Sequence, residues 1–439
     1  MNKYTKLFSV HVATHFVFKI KFDLRISHMK KNLFTVLILA SSVALSACND
    51  SDNDQSTVEV KDPNANNIQN PVAGIPKAYA TDDMSAVASE SVVMTYKMKG
   101  VKDTETLATA LVFVPKTAPP ATGWPIVAWA HGTTGVADKC APSQQGLKGT
   151  EFLLQMLLAK GYVVVAPDYE GLGEPGGQEA HPFLNLKSEA YSITDAVVAA
   201  RDYIGKQGKM VSKDWVTVGH SQGGQAALGV AQYASRAQLN YKGTIAVAPA
   251  SNLSLILVGG EAQASTITDL AQKIKTLASL DTYTSLITAG LRNKNPQLAY
   301  SQIFKSPTDI VASYAESICS GDLGLAFAKD MSDYAMKNTG SLENYPRTQA
   351  NFLTINAVDT FIKNESQPLQ VKVDQPVIIY QGALDTTVPK AVTDLLINSE
   401  GAKQSKITYH ENAEWDHITA YSANLDNIVQ DVNTLMAAK

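Results

Sequence analysis

The sequence is poor in several features that mark whole classes of protein. Only three of its 439 residues are cysteine, and 18% are charged, below the roughly 25% usual for soluble domains. So few cysteines exclude a small disulfide-rich scaffold, and a hydrophobic fraction of 45% excludes a disordered chain. With 37 Lys and Arg against 41 Asp and Glu, the chain lacks the basic field of a nucleic-acid-binding protein.

Motifs for cofactors and metals are also missing. The sequence has no G-x-x-x-x-G-K-[ST] loop, no dinucleotide fingerprint and no His/Cys/Asp cluster with metal-ligand spacing. Asp168 and Glu170, with Asp195 on a nearby predicted helix, could act as an acid–base pair or hold a metal. A solvated loop or a set of buried hydrogen-bond partners is the simpler interpretation. We therefore expect no cofactor and no metal.

The longest apolar run, residues 33–43, is shorter than the ~20 residues of a membrane-spanning helix. It follows Met-Lys-Lys at 29–31 and precedes Leu-Ser-Ala-Cys at 45–48, the arrangement of a secretory signal. The last four residues resemble the bacterial lipobox, whose cysteine becomes the lipidated first residue of the mature protein.

These features predict an exported protein held in the cell envelope by a lipid. We interpret 1–28 as an upstream extension, 29–47 as a lipoprotein signal peptide, Cys48 as the lipidation site and 48–72 as a flexible polar tether. Asn49, where an Asp would signal inner-membrane retention, favours the outer membrane. The alternative is a soluble secreted enzyme cut nearby.

Beyond the tether, strand-like and helix-like segments alternate. Continuous apolar runs at 125–130, 162–166 and 376–380 are typical of parallel strands buried on both faces. Helical spacing between them, as at 151–159 and 188–204, predicts an α/β fold with a mostly parallel central sheet and helices on both faces.

The middle of this region lacks such runs and has apolar residues at helical spacing. We predict an α/β core made of 73–251 and 346–439, interrupted by a mainly helical cap insertion at 252–345. A separate domain unrelated to the chemistry is the alternative. We expect the protein to be a monomer.

The sharpest motif is Gly-His-Ser-Gln-Gly at 219–223, placed between a predicted strand and a predicted helix. This is the nucleophile-elbow pattern in the context that it requires, which makes Ser221 the candidate nucleophile.

A serine nucleophile needs a base and an orienting acid, which follow it in the order acid, then histidine. Only His410 and His417 follow Ser221; His410 ends a predicted strand, so we favour His417, in a loop before the last helix. For the acid we favour Asp385, just past the 376–380 strand, over Asp416, which neighbours His417 in sequence.

The loop His-Gly-Thr-Thr-Gly at 131–135 also follows a predicted strand. We expect an oxyanion hole made by the backbone amides of Thr133 and Gln222, with Thr134 as the alternative to Thr133 and a plain tight turn as the simpler interpretation. His131 is expected to hold this loop rather than act as a base.

Two cysteines, Cys140 and Cys319, remain if Cys48 carries a lipid. In an oxidising compartment they can form a disulfide. Two free buried thiols are the alternative.

Several of these motifs together resemble the secretory lipase family of the α/β-hydrolase superfamily, which includes fungal lipase A. The resemblance rests on residues 131–135, on Ala-Pro-Asp-Tyr-Glu-Gly-Leu-Gly at 166–173, on 219–224 and on the Asp385 and His417 loops. It implies ester hydrolysis by Ser221, His417 and Asp385, with an acyl-binding tunnel shaped by the cap.

The sequence therefore predicts an exported serine lipase or esterase that works through an acyl-enzyme and acts on an ester or lipid substrate. A serine peptidase or amidase on the same fold is one alternative, and an esterase of polysaccharide or aromatic esters is another. The non-enzyme alternative is a surface-anchored binding protein with an inactive triad.

Overall fold

The computed structural model describes residues 62–173 and 179–438, which belong to one compact unit. The predicted extension, signal peptide and lipidation site lie outside the described residues. Within the described ranges, no helix is both long and apolar enough to cross a bilayer.

The described chain contains a single nine-stranded sheet in the order β1-β2-β3-β5-β4-β6-β7-β8-β9. Its strands are β1 (Lys77–Ala78), β2 (Ala88–Lys99), β3 (Glu105–Pro115), β4 (Trp124–Ala130), β5 (Val163–Pro167), β6 (Val211–His220), β7 (Asn240–Val247), β8 (Val377–Gly382) and β9 (Ile407–Asn412).

Strands β4 to β9 pair in parallel, whereas β1, β2 and β3 form an antiparallel edge joined to β5. Strand β5 shows why the centre is stable: all five residues are buried, with Val163 and Val165 in one core and Val164 in the other. A strand whose side chains enter the cores on both faces of the sheet must be apolar throughout. The predicted α/β fold is confirmed.

The α-helices of the described residues surround this sheet or lie between β7 and β8. They are α1 (Pro142–Gln145), α2 (Glu151–Ala159), α3 (Leu186–Lys206), α4 (Gln222–Tyr233), α5 (Leu253–Thr266), α6 (Leu270–Arg292), α7 (Tyr300–Ile303), α8 (Thr308–Ser313), α9 (Ser320–Lys337), α10 (Asn356–Thr360), α11 (Lys390–Ile397), α12 (Glu400–Lys403), α13 (Thr419–Ser422) and α14 (Leu425–Ala437).

Helices cover both faces of the sheet. Helices α3 and α4 share a core with Val163 and Trp215, and α2 and α14 share the opposite core with Val164 and Val216. Because all of these strands are parallel in the centre, their carboxyl ends meet at one edge, where ligands bind in open α/β folds.

The helical insertion is longer than its predicted range of 252–345. Helix α10 and a following π-helical turn, Phe361–Glu365, also belong to it, since Val358 and Phe361 pack in the same apolar cluster as Phe327 of α9. Their helical spacing, three residues apart, presents one apolar face to the cap. The sheet resumes only at β8.

The predicted flexible tether, 48–72, is corrected in its last part. The Asn66 backbone amide donates to the Arg236 carbonyl (2.8 Å), its side chain donates to Asp195 (2.8 Å), and Val72 forms a β-bridge with Tyr96. These hydrogen bonds attach the segment to the core, although it is polar and has few apolar residues of its own. Residues 48–61 lie outside the described chain.

The last helix expected after His417 is divided into two helices, α13 and α14. Asn424 lies between them, almost completely buried, and its side-chain amide donates to the Ala420 carbonyl (2.9 Å). An Asn side chain that bonds to its own backbone competes with helix continuation.

A buried ion pair joins α3 to the turn after α4. The Arg236 guanidinium donates to both carboxylate oxygens of Asp195, at 2.8 and 2.7 Å, and both side chains are nearly inaccessible to water. Asp195 also accepts from the Lys99 amide (3.1 Å). The carboxylate is therefore a structural acceptor.

We predict that Arg236→Ala lowers the free energy of unfolding by about 3–5 kcal/mol, because it leaves a buried carboxylate without its counter-ion. The double variant Arg236→Met/Asp195→Leu, which removes both charges, should lose less. Urea unfolding measures both values, and a single variant that is no less stable than the double variant would contradict the structural role.

Candidate active site

Ser221 lies on a tight turn between β6 and α4, with φ 61° and ψ −119°. This backbone conformation is rare for a residue with a side chain and indicates a turn held by its surroundings. A Cβ on Gly219 would overlap the Gly223 carbonyl, and a Cβ on Gly223 would overlap the Ala130 carbonyl. The two glycines of the motif are required because the backbones pass this close.

A chain of hydrogen bonds connects Ser221, His417 and Asp385. His417 Nε2 lies 2.9 Å from Ser221 Oγ, and His417 Nδ1 lies 2.7 Å from Asp385 Oδ2. The Asp385 side chain is fully buried, whereas that of His417 is 14% exposed. The arrangement is that of a serine, a base within reach of its proton and an acid that orients the base.

The loop after β8 holds the Asp385 carboxylate. Asp385 Oδ1 accepts from the backbone amides of Thr387 and Val388, both at 2.8 Å, and Oδ2 accepts from the Gln381 side chain at 3.3 Å. Gln381 is itself held by Thr393, whose hydroxyl donates to its Oε1 (2.8 Å). These donors leave Oδ2 directed at the imidazole.

Neither of the alternatives to these residues, Asp416 and His410, lies in a comparable position. Asp416 is exposed, and its Oδ1 accepts from the amides of Ile418 (3.0 Å) and Thr419 (2.7 Å). Hydrogen bonds from Thr419 and Ile418 lower the pKa of Asp416, so it serves the start of α13 as a carboxylate. His410 lies exposed on β9 and stacks on Tyr380.

The loop predicted to form the oxyanion hole lies against the nucleophile. A Cβ built on Gly132 would come within 3.8 Å of Ser221 Cβ, and Thr133 lines a cavity together with Ser221 and Gln222. Gln222 is the first residue of α4, where a backbone amide has no acceptor within the helix. The Thr134 carbonyl accepts from the Ser320 amide (2.9 Å).

His131 stabilises this loop. Its Nδ1 lies 2.7 Å from the Gly132 carbonyl oxygen, its Nε2 lies 3.2 Å from that of Asp168, and its ring stacks on Tyr169. Burial lowers the pKa of His131 to about 4, against the opposing effect of these carbonyls. The imidazole is enclosed, and it contacts the backbone of its own loop.

The loop is also covalently linked to the cap. Cys140 and Cys319 form a disulfide with an S–S distance of 2.10 Å, joining the chain after the loop to the residue that precedes α9. Gly135 packs against this bridge, since a Cβ there would lie 2.8 Å from Cys140 Sγ. The start of α9 is therefore held against the loop by the disulfide and by the Ser320 bond.

The acidic residues at 168 and 170 are buried hydrogen-bond partners. Asp168 accepts from the Thr109 hydroxyl (2.6 Å) and the Ser143 amide (2.9 Å), and burial raises its pKa to about 6. Glu170 accepts from the Val101 amide (2.9 Å) and the Ser188 hydroxyl. In the part of the chain that the structure describes, no group of three or more His, Cys, Asp or Glu could hold a metal ion.

Two residues beside Ser221 make contacts that could not be predicted from the sequence. His220 Nε2 donates to the His417 carbonyl oxygen (2.9 Å), and the buried Gln222 side chain donates to Glu189 (2.7 Å). Gln222 Nε2 also lies 2.7 Å from Nε2 of the buried His181. The sequence shows that polar residues occupy the motif at 219–223, but it does not show their partners, which lie tens to hundreds of residues away.

The comparisons with known proteins identify the family of this chain. The model of the secretory lipase family matches residues 145–433. The chain belongs to the secretory lipase family. It is therefore a carboxylic-ester hydrolase, as its sequence motifs predicted. No curated protein matches the chain.

Solved structures share the fold at low sequence identity. The rice cell wall degrading esterase LipA from Xanthomonas oryzae is 19% identical, with a TM-score of 0.59 over 84% of this chain and 96% of that one. Closed-state Candida antarctica lipase A is 16% identical, with a TM-score of 0.63 over 84% of this chain and 82% of that one. At these identities the likeness establishes the α/β-hydrolase fold.

The environment of His220 predicts how the stability of the protein depends on pH. Burial, with a smaller effect of the neighbouring His417, lowers the pKa of His220 from 6.5 to about 4. Between these pH values the unfolded chain binds a proton that the folded protein excludes. The contribution of His220 to stability is therefore present above pH 6.5 and is lost as the pH falls towards 4.

We predict that the free energy of unfolding falls less in His220→Gln than in the wild type between pH 7 and pH 4.5, by about 2–3 kcal/mol. The reason is that Gln keeps a hydrogen-bond donor but does not titrate. Urea unfolding at the two pH values measures this difference. His410→Gln, at an exposed histidine, is the matched control and should keep the wild-type dependence. An unchanged dependence in His220→Gln would contradict the neutral buried imidazole.

Proposed function

We propose that this secretory lipase family member hydrolyses carboxylic esters through an acyl-enzyme formed on Ser221, with His417 as base and Asp385 as orienting acid. The observation that carries the proposal is the hydrogen-bond chain from Ser221 Oγ through the imidazole to the buried carboxylate, at 2.9 and 2.7 Å.

In the first half-reaction Ser221 Oγ attacks the ester carbonyl carbon while His417 Nε2 accepts the hydroxyl proton. The carbonyl oxygen becomes an oxyanion, which accepts hydrogen bonds from the backbone amides of Thr133 and Gln222. As the tetrahedral intermediate collapses, the carbon–oxygen bond to the alcohol breaks and His417 returns its proton to the leaving oxygen.

In the second half-reaction a water molecule replaces the alcohol. His417 removes its proton as the water oxygen attacks the acyl carbon, and collapse of the second intermediate restores the Ser221 hydroxyl and releases the acid. Asp385 holds the Nδ1 proton of the imidazole and stabilises the imidazolium. Its two backbone donors at 2.8 Å keep the carboxylate in position for this role.

We predict that Ser221→Ala lowers kcat for p-nitrophenyl ester hydrolysis on the order of 10⁶-fold, and that Asp385→Asn lowers it on the order of 10⁴-fold by favouring the wrong tautomer. Asp416→Asn, one residue from the base but exposed, is the matched control and should retain wild-type turnover. Circular dichroism checks that all three variants are folded.

A fluorophosphonate probe provides an independent measurement of the nucleophile. We expect one adduct, on Ser221, and none in Ser221→Ala. Retained turnover in folded Ser221→Ala, or an adduct on a different serine, would refute the assignment.

We further propose that the enzyme is exported and anchored in the cell envelope by a lipid on Cys48. The family is a secretory one, and residues 29–48 combine a basic head, an apolar run and a lipobox-like end. The chain is bound to the core from about Asn66 onward, and Cys48 precedes this point in the sequence.

We predict that Cys48→Ser moves the enzyme from the membrane fraction to the soluble exported fraction and abolishes incorporation of labelled palmitate. Ser51→Ala, three residues further on, is the matched control and should stay membrane-bound. Membrane retention of Cys48→Ser without palmitate label would contradict the lipid anchor, while its esterase activity would leave the catalytic assignment intact.

A further inference from the structure

Two cavities of very different size meet at Ser221. One has a volume of about 40 Å³, and the other is a cleft of about 290 Å³. Thr133, Ser221 and Tyr283 line both, so the nucleophile and the candidate oxyanion loop lie where they join. An ester bound for attack by Ser221 must place its acyl group on one side and its alcohol on the other.

The position of His417 indicates which cavity takes the acyl group and which takes the alcohol. His417 must return its proton to the leaving oxygen, so that oxygen lies within hydrogen-bond reach of Nε2. His417 lines the large cleft and is absent from the lining of the small cavity, whereas Gln222 lines the small cavity and is absent from that of the cleft. The alcohol therefore occupies the cleft and the acyl chain occupies the small cavity.

The small cavity limits the length of the acyl chain. It is bounded by apolar side chains of the core and the cap, among them Phe183, Leu257, Ile287 and Val388, each less than 10% exposed. A volume of about 40 Å³ holds roughly three water-sized groups. That is the size of the carbon chain of a butyryl group beyond its carbonyl.

The cleft is larger and less uniform in chemistry. Its lining includes His131, Thr134, Lys148 and Thr150 as well as Trp129 and Ile418. A cleft of about 290 Å³ has room for a bulky alcohol, and its mixed lining can contact both apolar and polar parts of that group.

We propose that this enzyme is specific for esters of short acyl groups, acetyl to butyryl, with larger alcohols, and that the apolar lining of the small cavity, Ile287 included, sets the limit on chain length. The proposal rests on the proposed function, since it assigns the two sides of the ester from the catalytic roles of Ser221 and His417.

The first experiment measures kcat/KM of the full-length enzyme for p-nitrophenyl acetate, butyrate, octanoate and palmitate. We expect a rise of up to about fourfold per methylene to butyrate, and octanoate at least tenfold below butyrate. A value that keeps rising through octanoate would overturn the chain-length limit. Absence of hydrolysis of every ester would instead overturn the proposed function.

Substitutions at Ile287, one of the residues of this lining, test the chain-length limit in both directions. Ile287→Ala should raise the octanoate-to-butyrate ratio of kcat/KM at least tenfold, and Ile287→Phe should lower the butyrate-to-acetate ratio. Ile287→Val replaces the alanine variant if the latter does not fold, with a smaller shift in the same direction. A ratio unchanged in folded variants would refute the role of Ile287.

The matched control is Leu325→Ala, at a 70% exposed residue in a separate groove of about 400 Å³ between α6 and α9. This groove shares Thr133 and Tyr283 with the other two cavities but contains neither Ser221 nor His417. We expect wild-type ratios in this variant. A changed octanoate ratio here, with none at Ile287, would place the acyl chain in the groove and overturn the proposal.

The alcohol side is tested with the acyl group held constant. Acetate release from glucose pentaacetate, followed in a pH-stat, should match or exceed that from methyl acetate at an equal concentration of ester groups. Hydrolysis of methyl acetate without hydrolysis of the acetylated sugar would overturn the assignment of the cleft to a bulky alcohol.

Discussion

The close approach of β6, Ser221 and α4 to the end of β4 is the constraint on which the active site depends. Gly219 and Gly223 leave no space for a Cβ between the elbow and the Ala130 carbonyl. Ser221 has its positive φ at this contact, and the loop that follows β4 lies directly beside it. A single packing contact therefore positions both the attacking oxygen and the loop that would bind the oxyanion.

The cap and the core function as one unit around this contact. The disulfide and the Ser320–Thr134 hydrogen bond hold the start of α9 against the 131–135 loop. Tyr283 of α6 lines both the small cavity and the cleft, and Leu257 of α5 and Ile287 of α6 bound the small cavity. Cap residues that are distant from Ser221 in the sequence therefore shape the space that is open to a substrate beside it.

Sequence reasoning was accurate where local patterns are strong and weaker where partners are distant. The runs that became β4, β5 and β8 are continuous and apolar because strands buried on both faces need them, and Ser221 stands in a motif with its own geometry. The end of the cap and the break at Asn424 were missed, since each depends on side chains that pack in a particular tertiary context. The docking of 62–72 was missed because polar side chains bind it, through Arg236 and Asp195.

The sequence by itself determined the fold class and identified the candidate catalytic residues, because glycine spacing, strand–turn–helix order and the order Ser, Asp, His are local or ordinal signals. Only the tertiary structure decided how the site is supported and what it admits. The 2.7 and 2.9 Å contacts of His417, the His220 bond to its carbonyl and the two unequal cavities at Ser221 arise from segments up to about 200 residues apart. Distances and volumes of this kind depend on how side chains pack, which no spacing along the chain specifies.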